Sequence, residues 1–145
     1  EETIAKLLYI FERFWQEILR FSRRTESQIN HWAARYGYKD RGEEILKEAK
    51  HGANGRYACI NLTNTDTIEF RVFRGTLKYN TVIATLQFVA NLCRVAISLP
   101  EYRIQEFSWP ALIEALTQDN CPELVQYLKE RNLYVNEPVT AEREV

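Results

Sequence analysis

Glu69 and Arg71 lie two residues apart in Thr67–Phe73, a segment that alternates with period two. In a β-strand, positions i and i+2 project from the same face, so this spacing sets a carboxylate beside a guanidinium. A second period-two segment, Arg56–Leu62, precedes it across the polar stretch Thr63–Asp66, which has the length of a hairpin loop. Registering Ala58, Ile60 and Leu62 with Ile68, Phe70 and Val72 against a core leaves Asn61, Glu69 and Arg71 together on the other face. A carboxylate there can contribute an oxygen ligand to Mg²⁺, and an arginine offers forked donors to phosphate or carboxylate oxygens. The same spacing also suits a plain ion pair on a solvated strand face, contributing ~0.2–1 kcal/mol, and spacing alone favours that plainer role. Arg56 and Arg74 fall on the core-facing parity, so each must sit at a strand end or beside a bulge.

The elements that would carry this hairpin are mostly helices. Within Glu2–Arg23, Ile4, Leu7, Leu8, Phe11, Trp15 and Ile18 recur at helical spacing. Tyr9, Ile10, Phe14, Leu19 and Phe21 widen that stripe well past the ~100° of a surface helix, which means burial on several sides or a partner chain. A second helix is expected over Thr25–Tyr36, with Thr25 or Ser27 as cap and Gly37 as stop, and a third over Gly42–Lys50. The HGANG run His51–Gly55 reads as a loop. After the hairpin, Asn80 or Thr81 should cap a long apolar helix that runs to Leu99 and stops at Pro100. Trp109–Leu116 and Pro122–Asn132 read as short helices with proline in the first turn. The fold class is therefore α+β, mostly helical with one antiparallel hairpin, in a single domain over residues 1–135 followed by a flexible tail over 136–145. A lone hairpin is marginal in water and has open edges, so its strands should join a larger sheet.

Composition narrows the function classes. A net charge of −1 argues against a strongly basic nucleic-acid module. Cys59, Cys93 and Cys121 are widely spaced with no Cys/His pairing at metal spacing, which fits a reducing, cytoplasmic setting better than a disulfide scaffold or zinc ribbon. The most apolar run, Thr81–Leu99, carries Gln87, Asn91 and Arg94 and reads as a buried helix, with no membrane partner. His31 and His51 have no partner at ligand spacing, and the Gly52–Gly55 loop lacks the phosphate-binding glycine patterns. Arg20, Arg23 and Arg24 read as a solvated helix end, and Trp15, Trp32 and Trp109 as core.

The pairing of R-Y-x-x-x-N-L (Arg56–Leu62) with T-x-E-F-R-x-F-R-G-T-L (Thr67–Leu77), followed by a long apolar helix, resembles the C-terminal part of the amidoligase family. That family is related to the glutamate–cysteine ligases and glutamine synthetases, whose shared fold is an antiparallel sheet backed by helices. The resemblance covers Arg56–Leu99, less than a third of the chain. It implies ATP-dependent condensation of a small-molecule or peptide carboxylate with an amine through an acyl-phosphate, with Mg²⁺ as cofactor and ATP as substrate. It also implies catalytic roles for Arg71 and Glu69, Glu69 as metal ligand, and substrate or phosphate contacts from Arg56, Asn61 and Arg74. Phosphoryl transfer depends on positioning and charge neutralisation more than on a protein nucleophile, which agrees with the lack of a Ser/His/Asp or Cys/His arrangement. Ligases of this kind draw further metal-binding carboxylates from N-terminal strands, and nothing before Arg56 reads as such a strand. Together with the lack of an initiating Met, this makes the chain the expected C-terminal portion of a larger catalytic domain, inactive alone. The rival expectation is a non-catalytic interaction module that forms a homodimer through the aromatic N-terminal helix.

Overall fold

The computed structural model describes residues 1–50, 58–64 and 66–134. Arg56, the His51–Gly55 loop and the tail expected over 136–145 lie outside the described residues. What is described is mostly helical with a two-stranded antiparallel hairpin, an α+β arrangement. The chain divides into two compact units, Glu1–Gly75 and Thr76–Val145.

In the first unit, the expected N-terminal helix forms as α1 (Glu2–Arg13) and α2 (Trp15–Ser22), separated at Phe14. Hydrogen bonds from Phe14 N–H to Ile10 O and from Ile18 N–H to Phe14 O carry the helical pattern through the break. The broad apolar stripe is explained by burial on almost every side: Leu7, Leu8, Tyr9, Ile10 and Phe11 are consecutive and each at most 2% exposed. These side chains, which could have faced a partner, are covered by the chain itself. α3 (Glu26–Trp32) starts at Thr25, whose side chain forms a capping box with Gln28. It ends four residues before Tyr36, because the following backbone is drawn into other bonds. Ala34 O accepts from Cys59 N–H at 2.8 Å, and Tyr36 N–H donates to the Glu12 carboxylate at 2.8 Å. Gly37 then takes a positive φ of 96°, a conformation that favours glycine. α4 (Gly42–Lys50) has the expected bounds and packs on α1.

The hairpin is shorter than its periodicity predicts: β1 is Ile60–Asn61 and β2 is Glu69–Phe70, with Ile60 opposite Phe70 and Asn61 opposite Glu69. Among the described residues the sheet has these two strands, extended by an isolated parallel bridge between Ala34 and Ala58. Regular pairing stops after Arg71 because the backbone beyond it turns its carbonyls to arginine side chains. The Arg24 guanidinium donates to the carbonyls of Arg71 (3.1 Å), Val72 (2.9 Å) and Phe73 (3.4 Å), and Arg23 donates to Arg74 O. Arg23 and Arg24, read as part of a solvated helix end, therefore clamp the second strand's exit, while Arg20 is exposed as expected.

The second unit is built on α5 (Tyr79–Ser98), which packs against α7 (Trp109–Leu116) and α8 (Pro122–Glu130) through Ala84, Phe88, Leu92 and Val95. A short α6 (Glu101–Gln105), not foreseen from periodicity, follows Pro100. Neither Asn80 nor Thr81 caps α5, which begins after Lys78 with no side-chain cap. Asn80 instead donates to Glu123 O on α8. α5 is long and apolar enough by length and composition to cross a membrane. Its polar residues nevertheless make the bonds of a packed helix. Gln87 accepts from Leu124 N–H (2.9 Å) and donates to Glu123 (2.9 Å), while Arg94 donates to Ala115 O. Trp15 and Trp109 are core as expected, but Trp32 is 44% exposed, its ring against His31.

Candidate functional site

Asn61, Glu69 and Arg71 come together as the strand parity predicts. Glu69 Oε1 accepts from Arg71 Nη1 at 3.0 Å and from Asn61 Nδ2 at 3.3 Å, directly across the register. Asn61 is buried, and its Oδ1 accepts from both the backbone and the hydroxyl of Thr63 (3.0 and 2.7 Å). Those bonds fix its amide so that the NH₂ points to Glu69. Arg71 also donates from Nε to Trp32 O at 3.3 Å. Its guanidinium is thus held from two directions, by the strand carboxylate and by the end of α3.

The face that carries this cluster differs from the open sheet face expected. Cys59, of the same parity as Asn61, is completely buried, so β1 is covered on both sides. The cover is a polar network that sequence periodicity could not reveal. The Glu12 side chain, 1% exposed, is bound by Arg35 (2.7 and 2.8 Å) and by Tyr36 N–H, with Arg35 also lying over the Trp15 ring. The Tyr36 hydroxyl donates to Ile60 O at 2.9 Å, which locks the strand residue next to Asn61. Burial pushes the Tyr36 phenol up to about 12, with the Cys59 and Glu12 groups adding to the shift. The Cys59 thiol is likewise pushed up to about 12, by burial first and then by Glu12.

Arg74, expected as a weaker phosphate contact, has an exposed side chain four residues from the end of β2. Its backbone N–H donates to Ser22 O and its carbonyl accepts from Arg23. Arg24 sits below the ordinary arginine value because of burial, then the nearby charges of Arg71 and Arg74. Arg23 and Arg24 were missed as partners of the hairpin. Their adjacency at a helix end was the only signal, and it did not say which carbonyls they would meet.

Mg²⁺ takes about six oxygen ligands, usually one or two carboxylates plus water and substrate phosphate. Among the described residues no group of three or more His, Cys, Asp and Glu could hold a metal ion, and Glu69 Oε1 is already bound by Arg71 and Asn61. The cluster therefore does not fit a complete metal site. A cavity of about 480 Å³ in the same unit lies toward the hairpin loop, against Leu62, Asp66, Thr67 and Ile68, and includes none of Asn61, Glu69 and Arg71. Comparison with protein-family models, curated proteins and solved structures gave no match.

Proposed function

We propose that the chain carries the arginine-bearing part of the site of an amidoligase-like enzyme, which joins a carboxylate to an amine at the expense of ATP. The observation that supports this reading most is the convergence of Asn61 and Arg71 on one oxygen of Glu69, at the positions of the hairpin motif that resembles that family. In this reading Arg71 neutralises oxygens of a phosphoryl group or acyl-phosphate, and its forked donors suit that role. Glu69 and the Trp32 carbonyl hold the guanidinium in place, and Asn61 holds Glu69. Arg74 at the rim takes substrate or phosphate. The remaining carboxylates, and with them Mg²⁺, come from strands beyond those described, in a larger ligase-type sheet, so turnover requires the longer protein. The acyl and amine substrates are small molecules or peptides, and the setting is cytoplasmic.

Calorimetric titration of Mg²⁺-ATP into this chain and into an N-terminally extended protein tests the reading. Mg²⁺-dependent binding confined to the extended protein and abolished by Arg71→Ala is expected. Full ligase activity in an extended protein carrying Glu69→Gln and Arg71→Ala would overturn it. The alternative, a non-catalytic interaction module, is favoured by one feature, the exposed row Tyr79, Val82, Leu86 and Ile97 along α5. A concentration-dependent dimer in analytical ultracentrifugation that Leu86→Glu dissolves, without nucleotide binding in either protein, would favour that alternative.

A further inference from the structure

The end of α2 and residues 71–74 bring together four arginines, of which Arg71 is paired with the Glu69 carboxylate. Arg23 and Arg24 are fixed by the carbonyls of residues 71–74, and Arg23 is bonded to the carbonyl of Arg74 itself. Carbonyl oxygens orient a guanidinium but carry no full negative charge. Among the described residues Arg71 pairs with Glu69, and no carboxylate pairs with Arg23, Arg24 or Arg74. Among the described residues three of these positive charges thus have no carboxylate partner, and they lie close enough that Arg71 and Arg74 lower the Arg24 pKa. Arg23 adds two anomalies: it adopts a left-handed φ of 64°, uncommon for a non-glycine residue, and its Nε is buried without a hydrogen-bond partner. A conformation of this kind brings the guanidinium against the hairpin exit and leaves one of its donors unsatisfied.

We infer that Arg23 and Arg74, backed by Arg24, form a binding site for a multiply charged phosphate, either orthophosphate or a phosphoanhydride chain. A single carboxylate would leave most of the positive charge uncompensated, whereas a phosphate with two or more charges matches it and accepts the forked donors that arginine presents. The site requires neither Glu69 nor a metal, and Arg23 and Arg24 lie outside the segments that resemble the amidoligases. Arg74 is shared with the ligase reading, which also gives it to substrate or phosphate, so the loss on Arg23→Gly is what tests this site apart from that reading.

The test is calorimetry on the 145-residue chain without Mg²⁺ and at fixed ionic strength, using orthophosphate, tripolyphosphate and ATP as separate probes. Tripolyphosphate is expected to bind, with affinity lowered at least tenfold by Arg74→Glu and by Arg23→Gly, the latter keeping the left-handed backbone. Lys47→Glu on the exposed side of α4 changes net charge by the same amount as Arg74→Glu and is expected to alter affinity less than twofold. Glu69→Gln leaves binding equal or tighter, although it removes a residue the ligase reading needs. Orthophosphate binding as tightly as tripolyphosphate assigns the site to single phosphates; ATP binding as tightly as tripolyphosphate assigns it to the phosphate chain of a nucleotide. If a variant does not fold, tripolyphosphate protection of Arg23 and Arg74 in the unmodified chain against phenylglyoxal, mapped by mass spectrometry, decides the matter. No binding of any probe, equal losses in Arg74→Glu and Lys47→Glu, or no protection of either arginine would overturn the inference.

Discussion

The two units stabilise their backbones by different means. In Glu1–Gly75, much of the geometry depends on polar and charged side chains reaching irregular backbone: Glu12 on Tyr36 N–H, Arg24 on three successive carbonyls, Tyr36 on Ile60 O. In the second unit, α5, α7 and α8 meet through Ala84, Phe88, Leu92, Leu112, Leu116, Leu124 and Leu128, and polar groups mainly secure helix ends, as Gln87 does for the start of α8. Apolar contact is non-directional and scales with buried area, whereas charge-assisted hydrogen bonds demand direction. The first unit should therefore be sensitive to a change of chemistry at constant volume, and the second to a change of volume at constant chemistry. The candidate site belongs to the first kind of unit, where small losses of direction move functional groups.

The largest effect is expected in the apolar unit. Phe88 is fully buried at the centre of α5, and Phe88→Ala removes its transfer free energy and leaves a cavity, costing about 3–5 kcal/mol. Buried Cys121 reports opening of this unit and buried Cys59 opening of the other, so thiol labelling in rising urea reads the two separately. Phe88→Ala should bring Cys121 labelling to lower urea. An unchanged Cys121 midpoint would mean that α5 is not the centre of that core.

Glu12→Ala is the matched change in the first unit. It removes the acceptor of Tyr36 N–H and the partner of Arg35, and breaking a buried pair typically costs about 3–5 kcal/mol. Because Arg35 is about one third exposed and can recover water, the expected loss is near the lower figure, about 3 kcal/mol. It should lower the urea midpoint of Cys59 labelling and weaken any ligand bound through Arg71, since Tyr36 and Ile60 lead directly to Asn61. An unchanged Cys59 midpoint would show that the strand is held without the Glu12 network.

Most of the helical framework was legible in the sequence because apolar spacing encodes it. α4 and α7 have the expected bounds, and Thr25 caps α3 because Thr and Gln stand three residues apart at a helix start. The grouping of Asn61, Glu69 and Arg71 was legible too, since strand parity fixes which side chains share a face. What periodicity could not convey was long-range polar pairing. Glu12 and Tyr36 are 24 positions apart, and Arg24 meets carbonyls 47 to 49 positions away. Carbonyls have no sequence signature, so neither the early end of α3 nor the truncated hairpin could be read. The cap of α5 was misjudged for a related reason, as Asn80 has the chemistry of a cap but is drawn to Glu123 O on α8.

Arg24→Lys tests direction alone, since charge and most of the length are retained. Lysine is a compact point charge and cannot match the arginine fork across Val72 and its two neighbours. With hydrogen bonds to charged groups contributing about 1.5–3 kcal/mol each, and some recovered by lysine, a net loss of about 2 kcal/mol is expected. Phosphate binding at Arg23 and Arg74 should weaken with it, because the exit of β2 is no longer fixed. Full stability with unchanged phosphate affinity would show that charge suffices and direction does not matter there.

The smallest effect is expected from Tyr36→Phe, and its pH dependence makes it informative. At neutral pH the variant loses the bond to Ile60 O, about 1 kcal/mol. The folded protein keeps the Tyr36 phenol protonated to about 12, against an ordinary value of 10, because burial disfavours phenolate. A group whose pKa is raised by folding contributes its full stability below the unfolded value and loses it as pH rises through the folded one. The wild-type advantage over Tyr36→Phe should therefore hold up to about pH 10 and shrink between pH 10 and about 12. Cys59, raised from 9 to about 12, titrates over an overlapping window and adds to the Tyr36 shift, so the comparison is made with Cys59→Ala in both proteins. Urea unfolding followed by circular dichroism at stepped alkaline pH measures the difference. A gap that stays constant above pH 10 would mean that the phenol is solvated in the folded state, and that the strand beside Asn61 is positioned by something other than Tyr36.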